Sequence, residues 1–360
     1  MAKITKSFTE KNSNPFKISQ ILIPLGIGII VIGWLFLSEY DPRTFKNVKF
    51  NFVSVGYILL AFIFMFGRDF GMIWRFRLMA CKDLTWSQAF NINVLNEFTS
   101  AVTPSAVGGS SLVVLFLSKE GINVGRSTAI MISNLFLDEL FFVIVCPIIF
   151  LLVPVKELFN VSSVITSTIG VLFWSVYVAL IIWTFILYIG LFRRPDLIAK
   201  TVQLIFKLPF LRRWESKIVE FAENMINSSL EMSQKSFSFW AKAFGTTALS
   251  WSSRFLVVNA LFMAFTPISN HLIIFGRQML LWIVMVVSPT PGGSGLSEIA
   301  FKEYYNDIAL GSGPILVITV IWRIISYYLY LLLGFLVIPA WITKSFSKQS
   351  NEITVNQETK

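Results

Sequence analysis

Two long apolar stretches of this chain are each interrupted by a motif rich in proline and glycine. The first motif reads TPSAVGGSSL from Thr103, and the second reads SPTPGGSGL from Ser288. When the two Gly-Gly pairs are aligned, a single gap is enough to match the motifs. Because proline and glycine disfavour a continuous helix, each motif predicts a break in a membrane segment. Breaks at matching places in two halves of a membrane protein indicate a transport site near the bilayer midplane.

Composition fixes the class of protein. Of the 360 residues, 55% are hydrophobic and 14% are charged, and the mean hydropathy is +0.70. A soluble domain has no room to bury that much apolar surface, so the sequence predicts an all-α, polytopic membrane helix bundle. The net charge of +10 is spread between apolar stretches and forms no continuous patch with stacking aromatic residues. We therefore expect no nucleic-acid partner.

The residues typical of disulfide frameworks, zinc sites and nucleotide-binding sites are few or absent in the sequence. Cys81 and Cys146 lie at or within apolar segments and indicate no disulfide framework. A single histidine, His271, makes a zinc site unlikely on sequence grounds. The sequence carries no P-loop motif for nucleotide binding, so we expect no transport driven by ATP hydrolysis. We expect no cofactor, no metal and no catalytic residues.

Six apolar stretches have the length of a membrane-crossing helix. They cover about residues 18–37, 52–74, 127–153, 166–192, 243–265 and 314–342. The first of them has no clear cleavage site, so it is interpreted as a retained helix and not as a signal peptide. The two broken segments cover residues 86–119 and 271–305.

The longest polar stretch is residues 193–242, which contain nine Lys and Arg residues. Apolar side chains recur there at helical spacing, at Trp214, Ile218, Phe221 and Met225, which predicts an amphipathic helix. Such a helix either lies on the anionic inner leaflet or packs on the bundle as a solvated linker.

The distribution of basic residues predicts the orientation in the membrane. Lys and Arg concentrate at the N-terminus, in the Arg75–Lys82 region, in residues 193–242 and in the tail, and are scarce in 154–165 and 266–270. The positive-inside rule then places both termini in the cytoplasm, in the cell membrane. If each broken segment re-enters on one side, the first opens from the cytoplasm and the second from outside. The units 52–153 and 243–342 then form an inverted repeat.

The breaks predict a binding site for a phosphate-bearing head group. A new half-helix is expected to begin near Ser110 in one copy and near Gly295 in the other, and its first N–H groups carry positive partial charge. Hydroxyl side chains, including those of Ser111 and Ser294, add donors. The predicted substrate-binding residues are Thr103, Pro104, Ser105, Gly108, Gly109, Ser110, Pro289, Thr290, Gly292, Gly293, Ser294 and Glu298. The alternative is that these glycines only allow tight helix crossings.

Ionisable residues inside the spans are costly and need a partner or a wet cavity. The predicted buried charges are Glu97, Asp138, Glu139, Arg254 and Arg323. Glu139 lies 31 residues after Gly108, and Arg323 lies 31 residues after Gly292. We hypothesise that Asp138 or Glu139 pairs with Arg323 or Arg254 across the cavity between the repeats.

Two further sites carry charge. Arg68 and Asp69 are neighbours and are expected near the cytoplasmic interface. Glu298 falls in the first turn of its half-helix, where it either caps the helix or contacts a cationic head group or a coupling proton.

These motifs resemble those of a known family. Residues 103–109 together with FLSKEG from Phe116, and residues 289–295 with Glu298, are similar to the paired motifs of the flippase-like, lysylphosphatidylglycerol-synthase transmembrane family. The likeness extends from the first span to the last. It implies movement of lipids between leaflets: aminoacylated phosphatidylglycerols in the best-known members and lipid-linked glycans in other relatives. Members that make aminoacyl lipids carry an additional soluble transferase domain, so the resemblance is expected to cover the membrane part only.

The leading hypothesis is a lipid translocator whose cavity accepts a phospholipid-type or lipid-linked head group, with membrane lipids and a possible lipid-modifying enzyme as partners. Transport would be downhill, or coupled to an ion through the buried carboxylates. An intramembrane transferase acting on a lipid-linked substrate is the first alternative, with Glu97, Glu298 and Asp138 as candidate groups. A non-transporting scaffold for a partner enzyme is the second.

Overall fold

A computed structural model gives the architecture of the protein. It describes residues 48–103, 106–159, 164–194, 215–309 and 311–339, together with residues 30, 37 and 341. Every regular element in these ranges is helical, so the predicted all-α fold is confirmed. Five helices are long and apolar enough to cross a membrane, at Phe52–Met79, Val124–Leu152, Gly170–Arg193, Phe237–Phe265 and Gly313–Pro339. They match five of the six predicted spans; the other, 18–37, lies outside the described residues except at 30 and 37.

The first half of the described chain forms six helices. They are α1 (Phe52–Met79), α2 (Trp86–Val102), α3 (Ala106–Lys119), α4 (Val124–Leu152), the short α5 (Val155–Phe159) and α6 (Val164–Tyr188), which ends in a π-helical turn at Ile189–Arg193. Side-chain caps fix several starts. Asn51 and Asn123 each accept a hydrogen bond from the N–H three residues on, and Thr85 and Gln88 form a capping box before α2.

The second half repeats the order of a long helix, two short helices and a long helix. Its elements are α7 (Glu215–Ser233), α8 (Phe237–Phe265), α9 (His271–Met285), α10 (Leu296–Tyr305) and α11 (Ser312–Arg323), which continues through a π-helical turn at Ile324–Tyr328 and reaches residue 339. Ser236 caps α8 and Asn270 caps α9. Helices α1 to α4 and helices α8 to α11 thus follow the same order of long, short, short and long.

Helices α1 and α8 pack against each other along their length in opposite directions. Near the start of α1, the hydroxyl of Ser54 donates to the carbonyl of Ala264 over 2.8 Å. In the middle, Ser250 Oγ donates to the carbonyl of Arg68 over 2.9 Å. Towards the end of α1, Arg75 donates to the hydroxyl of Thr247 over 3.0 Å. Partner numbers in α8 fall as the residue number in α1 rises, so the two helices are antiparallel.

Small residues make this contact close. A Cβ on Gly71 would lie 2.8 Å from the backbone oxygen of Thr246 and 3.0 Å from the backbone nitrogen of Ser250, and one on Gly67 would lie 3.0 Å from Ser253 Oγ. Such spacing lets two backbones approach in a membrane, where packing replaces the hydrophobic effect as the driving force. The first long helices of the two halves therefore form a tight central pair.

Part of the predicted amphipathic segment, α7, is helical. In its described face, Met225, Ser229 and Met232 are buried, and a Cβ on Gly125 of α4 would lie 2.5 Å from Asn224 Cβ. This face contacts the bundle, as the linker alternative predicts. Residues 195–214, which include Trp214, lie outside the described residues, as do the side chains of Ile218 and Phe221.

Candidate functional site

The second predicted break lies between α9 and α10. Gly292, Gly293 and Gly295 adopt φ values of 57°, 68° and 86°, a region that side chains with a Cβ rarely enter. The chain folds back through a hydrogen bond from Gly293 N–H to the carbonyl of Thr290. Helix α10 begins at Leu296, with Gly295 as its N-cap residue. The predicted start of a half-helix near Gly295 is confirmed.

Most donors of this second turn are already used within it. The N–H groups of Ser294 and Ser297 donate to the carbonyls of Pro291 and Gly293. The hydroxyl of Ser294 also donates to Pro291, and those of Ser288 and Thr290 lie 3.2 Å apart. Pro289 is exposed. The predicted phosphate cradle therefore finds the N–H groups of Gly293, Ser294 and Ser297 occupied.

Glu298 accepts from a further donor at the start of α10. Its Oε2 accepts hydrogen bonds from Gly295 N–H at 2.8 Å and from Ser297 Oγ at 3.0 Å. Its Oε1 accepts from Arg323 Nε at 2.7 Å. Both side chains are buried. Of the two roles considered for Glu298, capping is the one that the geometry supports.

The first predicted break is shorter than expected. Thr103 ends α2, and its hydroxyl donates to the carbonyl of Thr99 over 2.6 Å. Helix α3 already begins at Ala106, so the backbone of Gly108, Gly109 and Ser110 is helical. The predicted start near Ser110 is therefore wrong by four residues. Pro104 and Ser105, between the two helices, lie outside the described residues, and nothing in the described backbone requires the glycine pair to leave the helix.

Tyr327 of the π-helical turn in α11 connects the two breaks. Its hydroxyl donates to the carbonyl of Ala101, two residues before Thr103, over 3.3 Å. A Cβ on Gly292 would lie 2.2 Å from Tyr327 Cε2 and 3.0 Å from the same Ala101 oxygen. Arg323 lies over the Tyr327 ring, 4.1 Å from its centroid. The end of α2 and the second turn are therefore neighbours in space.

A second group of polar residues, the central cluster, joins α1, α2 and α11. It consists of Arg68, Asp69, Asn93, Glu97 and Tyr330. Arg68 contacts the carboxylates of both Asp69 and Glu97. Asp69 also accepts from Tyr330 at 2.5 Å and from Asn93 at 3.3 Å. Arg68 is 1% exposed, so the pair lies among packed helices, and the expectation that it lies near the cytoplasmic interface stays a prediction.

Arg254 on α8 lies beside this cluster and has a different environment. Its guanidinium lies 4.1 Å from the ring centroid of Trp282 and 5.5 Å from that of Trp251. The charges of Arg68, Glu97 and Asp69 lie within electrostatic range of it. Among the described residues, it forms no ion pair with a carboxylate. Trp282 is four residues before Val286, where α9 gives way to the second turn.

Asp138 and Arg323 have partners other than those predicted. Asp138 forms a two-pronged contact with Arg75, at 2.5 and 2.9 Å, and accepts from Trp251 Nε1 at 2.7 Å. Arg323 pairs with Glu298, and Glu139 contacts no basic side chain in the described part of the chain. The hypothesis of pairing across the repeats is therefore wrong for Asp138 and Arg323. Helix α1 extends past the predicted end at Trp74, which brings Arg75 into the interior.

Sequence reasoning missed Arg75, Trp282, Tyr327 and Tyr330. We predicted that Arg75 follows the end of a span. Only its spacing of seven residues from Arg68, which puts both on one helix face, could have indicated that it lies in the interior. The tyrosines and tryptophan gave no signal, because such residues are common at membrane interfaces. In the ranges that the structure describes, no group of three His, Cys, Asp or Glu side chains is placed to hold a metal ion.

Comparison with known proteins decides the family. The model of the lysylphosphatidylglycerol synthase transmembrane region matches residues 21–334. The chain belongs to this family. It is also 24% identical over 337 residues to a "UPF0104 membrane protein" of Archaeoglobus fulgidus, a similarity that covers 90% of this chain and 98% of the relative. Both resemblances extend over nearly the whole helix bundle, including the two breaks.

Membership of this family and the five apolar helices agree on the class of protein. The chain is a multi-pass helical membrane protein. The family model describes a transmembrane region, and the residues that it matches include the second turn and Glu298. The family resemblance noted from the motifs is thus confirmed over residues 21–334.

Proposed function

We propose that this protein moves a phospholipid or a lipid-linked head group between the leaflets of the cell membrane. The observation that carries the proposal is that the end of α2 and the second turn meet at Tyr327, which lies against Gly292 and donates to the Ala101 carbonyl. Broken membrane helices that meet inside a bundle are the usual site of substrate in transporters. Irregular backbone at membrane depth is tolerated only when protein or a wet cavity covers it.

The second support is the antiparallel pairing of α1 with α8. Two units, 52–153 and 243–342, whose first helices run in opposite directions are what an inverted repeat requires. In this proposal each broken segment re-enters from its own side, the first from the cytoplasm and the second from outside. Both chain termini then lie in the cytoplasm, and alternating exposure comes from rocking one unit against the other.

The third support is the charge held between the units. The central cluster and Arg254 put ionised groups deep among apolar helices, which is costly unless they serve a polar path. In the proposal, the head group passes these groups while its tails remain in the bilayer. A lipid-modifying enzyme is a plausible partner because it would supply or consume the lipid that is moved.

The test is lipid exchange in liposomes that contain the purified chain and a trace of fluorescent phospholipid. A membrane-impermeant reductant destroys the outer-leaflet signal, and the protein is expected to bring the inner-leaflet lipid within its reach. Gly292→Ala should abolish the exchange, because its Cβ would collide with Tyr327 and its φ of +57° is strained. Gly245→Ala is the matched control, since a Cβ there has no atom within 4 Å.

Two outcomes decide whether the protein translocates lipids. Protein-dependent exchange that is lost in Gly292→Ala and kept in Gly245→Ala supports the proposal. An absence of exchange with folded wild-type protein, across neutral and anionic lipids, contradicts it. The double variant Gly292→Ala/Tyr327→Ala removes the collision with the ring and leaves the backbone strain and the contact with the Ala101 oxygen, so recovery of exchange in it would assign the loss to the ring.

A further inference from the structure

Arg254 differs from the other arginines buried in the bundle. Arg68, Arg75, Arg277 and Arg323 each contact a carboxylate in the structure. Arg254 lies in the second half of the membrane-spanning helix α8, yet it neither forms an ion pair nor donates a hydrogen bond to any described residue. A guanidinium has five N–H donors and keeps its charge in proteins. Asp69 and Glu97 balance the combined charge of Arg68 and Arg254, but the N–H donors of Arg254 still need hydrogen-bond acceptors, which water or an anion from outside the protein can supply.

Two tryptophan rings lie beside Arg254. Their centroids are 4.1 Å (Trp282) and 5.5 Å (Trp251) from its guanidinium carbon, within the reach of a cation–π contact. Such contacts do not require the five N–H donors of a guanidinium, which stay available for hydrogen bonds. The side chain is partly exposed, whereas its neighbours Ser253 and Phe255 are buried, so an external ligand can reach it.

The position of Arg254 ties it to the two breaks. Trp282 lies at the end of α9, immediately before the second turn. Glu97, which is within electrostatic range of Arg254, lies six residues before Thr103 at the end of α2. Arg254 thus lies beside the last turn of α9 and within electrostatic range of the last part of α2.

Among the described residues, the two carboxylates within electrostatic range of Arg254 are held by the central cluster. Asp69 and Glu97 both contact Arg68, and Asp69 is further engaged by Tyr330 and Asn93. Glu97 remains 11% exposed, so it can accept a hydrogen bond from a ligand group. Arg254 and Glu97 thus offer one cationic and one anionic group in the same region of the bundle.

We propose that Arg254 binds the phosphate of a lipid head group, with Glu97 accepting a hydrogen bond from the hydroxyl or ammonium group next to it. The fork of a guanidinium matches two phosphate oxygens, which gives it an advantage over a lysine at such a site. This inference rests on the proposed lipid translocation and assigns the residues that would hold the head group. It also moves the phosphate site from the second turn, most of whose donors are occupied, to a side chain of α8.

Binding to the purified full-length chain in detergent tests the inference without requiring transport. Native mass spectrometry counts bound lipid for phosphatidylglycerol and for a diacylglycerol with the same tails and no phosphate. Arg254→Gln should weaken phosphatidylglycerol binding by about tenfold or more, as expected for a lost charged hydrogen bond. Arg254→Lys should give a smaller loss, because the charge stays and the fork is removed. Diacylglycerol binding should be unchanged in every variant.

Arg126→Gln is the matched control, since it removes one arginine charge from a half-exposed pair with Asp83. It should bind phosphatidylglycerol as the wild type does. Inorganic phosphate alone is the second arm, because it shares the chemistry without the tails. If phosphate binds as tightly as phosphatidylglycerol, the ligand is a free anion and the lipid assignment is overturned.

The outcomes separate this inference from the proposed function. Unchanged phosphatidylglycerol binding in folded Arg254→Gln overturns the site, even if lipid exchange in liposomes is found. Loss of binding in that variant supports the site, even if the wild-type protein fails to exchange lipids, in which case translocation alone is contradicted. The Arg254→Lys variant keeps the test decisive if the glutamine variant does not fold.

Discussion

The guanidinium Nε of Arg323 lies 2.7 Å from Oε1 of Glu298, and neither side chain is more than 5% exposed. The other carboxylate oxygen of Glu298 holds the N–H of Gly295, and a terminal nitrogen of Arg323 lies 3.4 Å from the carbonyl of Gly292. One ion pair therefore fixes both ends of the second turn to α11. The turn has three glycines at positive φ, and glycine backbone is flexible. The ion pair therefore restricts the conformations that the turn can adopt.

Breaking this pair from one side should be costly. In Glu298→Gln the charge of Arg323 remains buried without its counter-ion, so we expect a loss of about 3–5 kcal/mol in the free energy of unfolding. Denaturant titration of the purified protein in detergent measures it. The double variant Glu298→Gln/Arg323→Met should lose clearly less than the sum of the single variants. Additive losses would mean that the two side chains do not interact.

The antiparallel pairing of α1 with α8 predicts a specific cross-link. A Cβ on Gly67 would lie 3.6 Å from the Cβ of Ser253, within the range of about 3.5–4.5 Å that a disulfide needs. In a background with Cys81 and Cys146 replaced by alanine, Gly67→Cys/Ser253→Cys should oxidise to an intramolecular disulfide. Gel mobility of a form cleaved between the halves reports the bond.

The control for this cross-link moves one cysteine along the same helix. Gly56 lies eleven residues before Gly67, roughly 16 Å along the helix axis. Gly56→Cys/Ser253→Cys should therefore stay reduced under the same conditions. Equal oxidation of both pairs, or oxidation of the control alone, would show that the two helices are not arranged as described.

Two arginine–aspartate pairs of different burial should contribute different amounts to the free energy of unfolding. Arg75 and Asp138 are 1% and 18% exposed, whereas Arg126 and Asp83 are 23% and 55% exposed. Asp138→Asn should cost about 3–5 kcal/mol because it leaves Arg75 charged in the interior. Asp83→Asn should cost less than about 1 kcal/mol, as exposed pairs do. Similar losses in the two denaturation curves would contradict the burial of Asp138.

The proposed orientation predicts which loops face the cytoplasm. Lys82 follows α1 and Lys156 lies in α5, and both side chains are exposed. In intact cells that express a chain without its native cysteines, a membrane-impermeant maleimide should label Lys156→Cys. Lys82→Cys should react only after the membrane is permeabilised. The reverse pattern would invert the proposed topology while leaving the fold unaffected.

Local sequence features predicted much of the fold. Apolar runs gave five helices to within a few residues, because the length and hydropathy of a span follow from its own residues. The glycines at residues 292–295 predicted the second turn for the same reason, since a positive φ is a local requirement. The first turn was predicted less well: Gly108 and Gly109 lie in α3, because glycine permits a break without requiring one.

The sequence by itself determined the membrane class, the family motifs, the second break and the presence of charges inside the spans. Only the tertiary structure decided which charges meet, because that depends on the rotation and crossing of helices far apart in the chain. It paired Asp138 with Arg75 and Arg323 with Glu298, and it placed Arg254 against Trp282 with no ion pair to a described carboxylate. Hydropathy places a residue at a depth in the membrane, whereas packing between helices selects its partner.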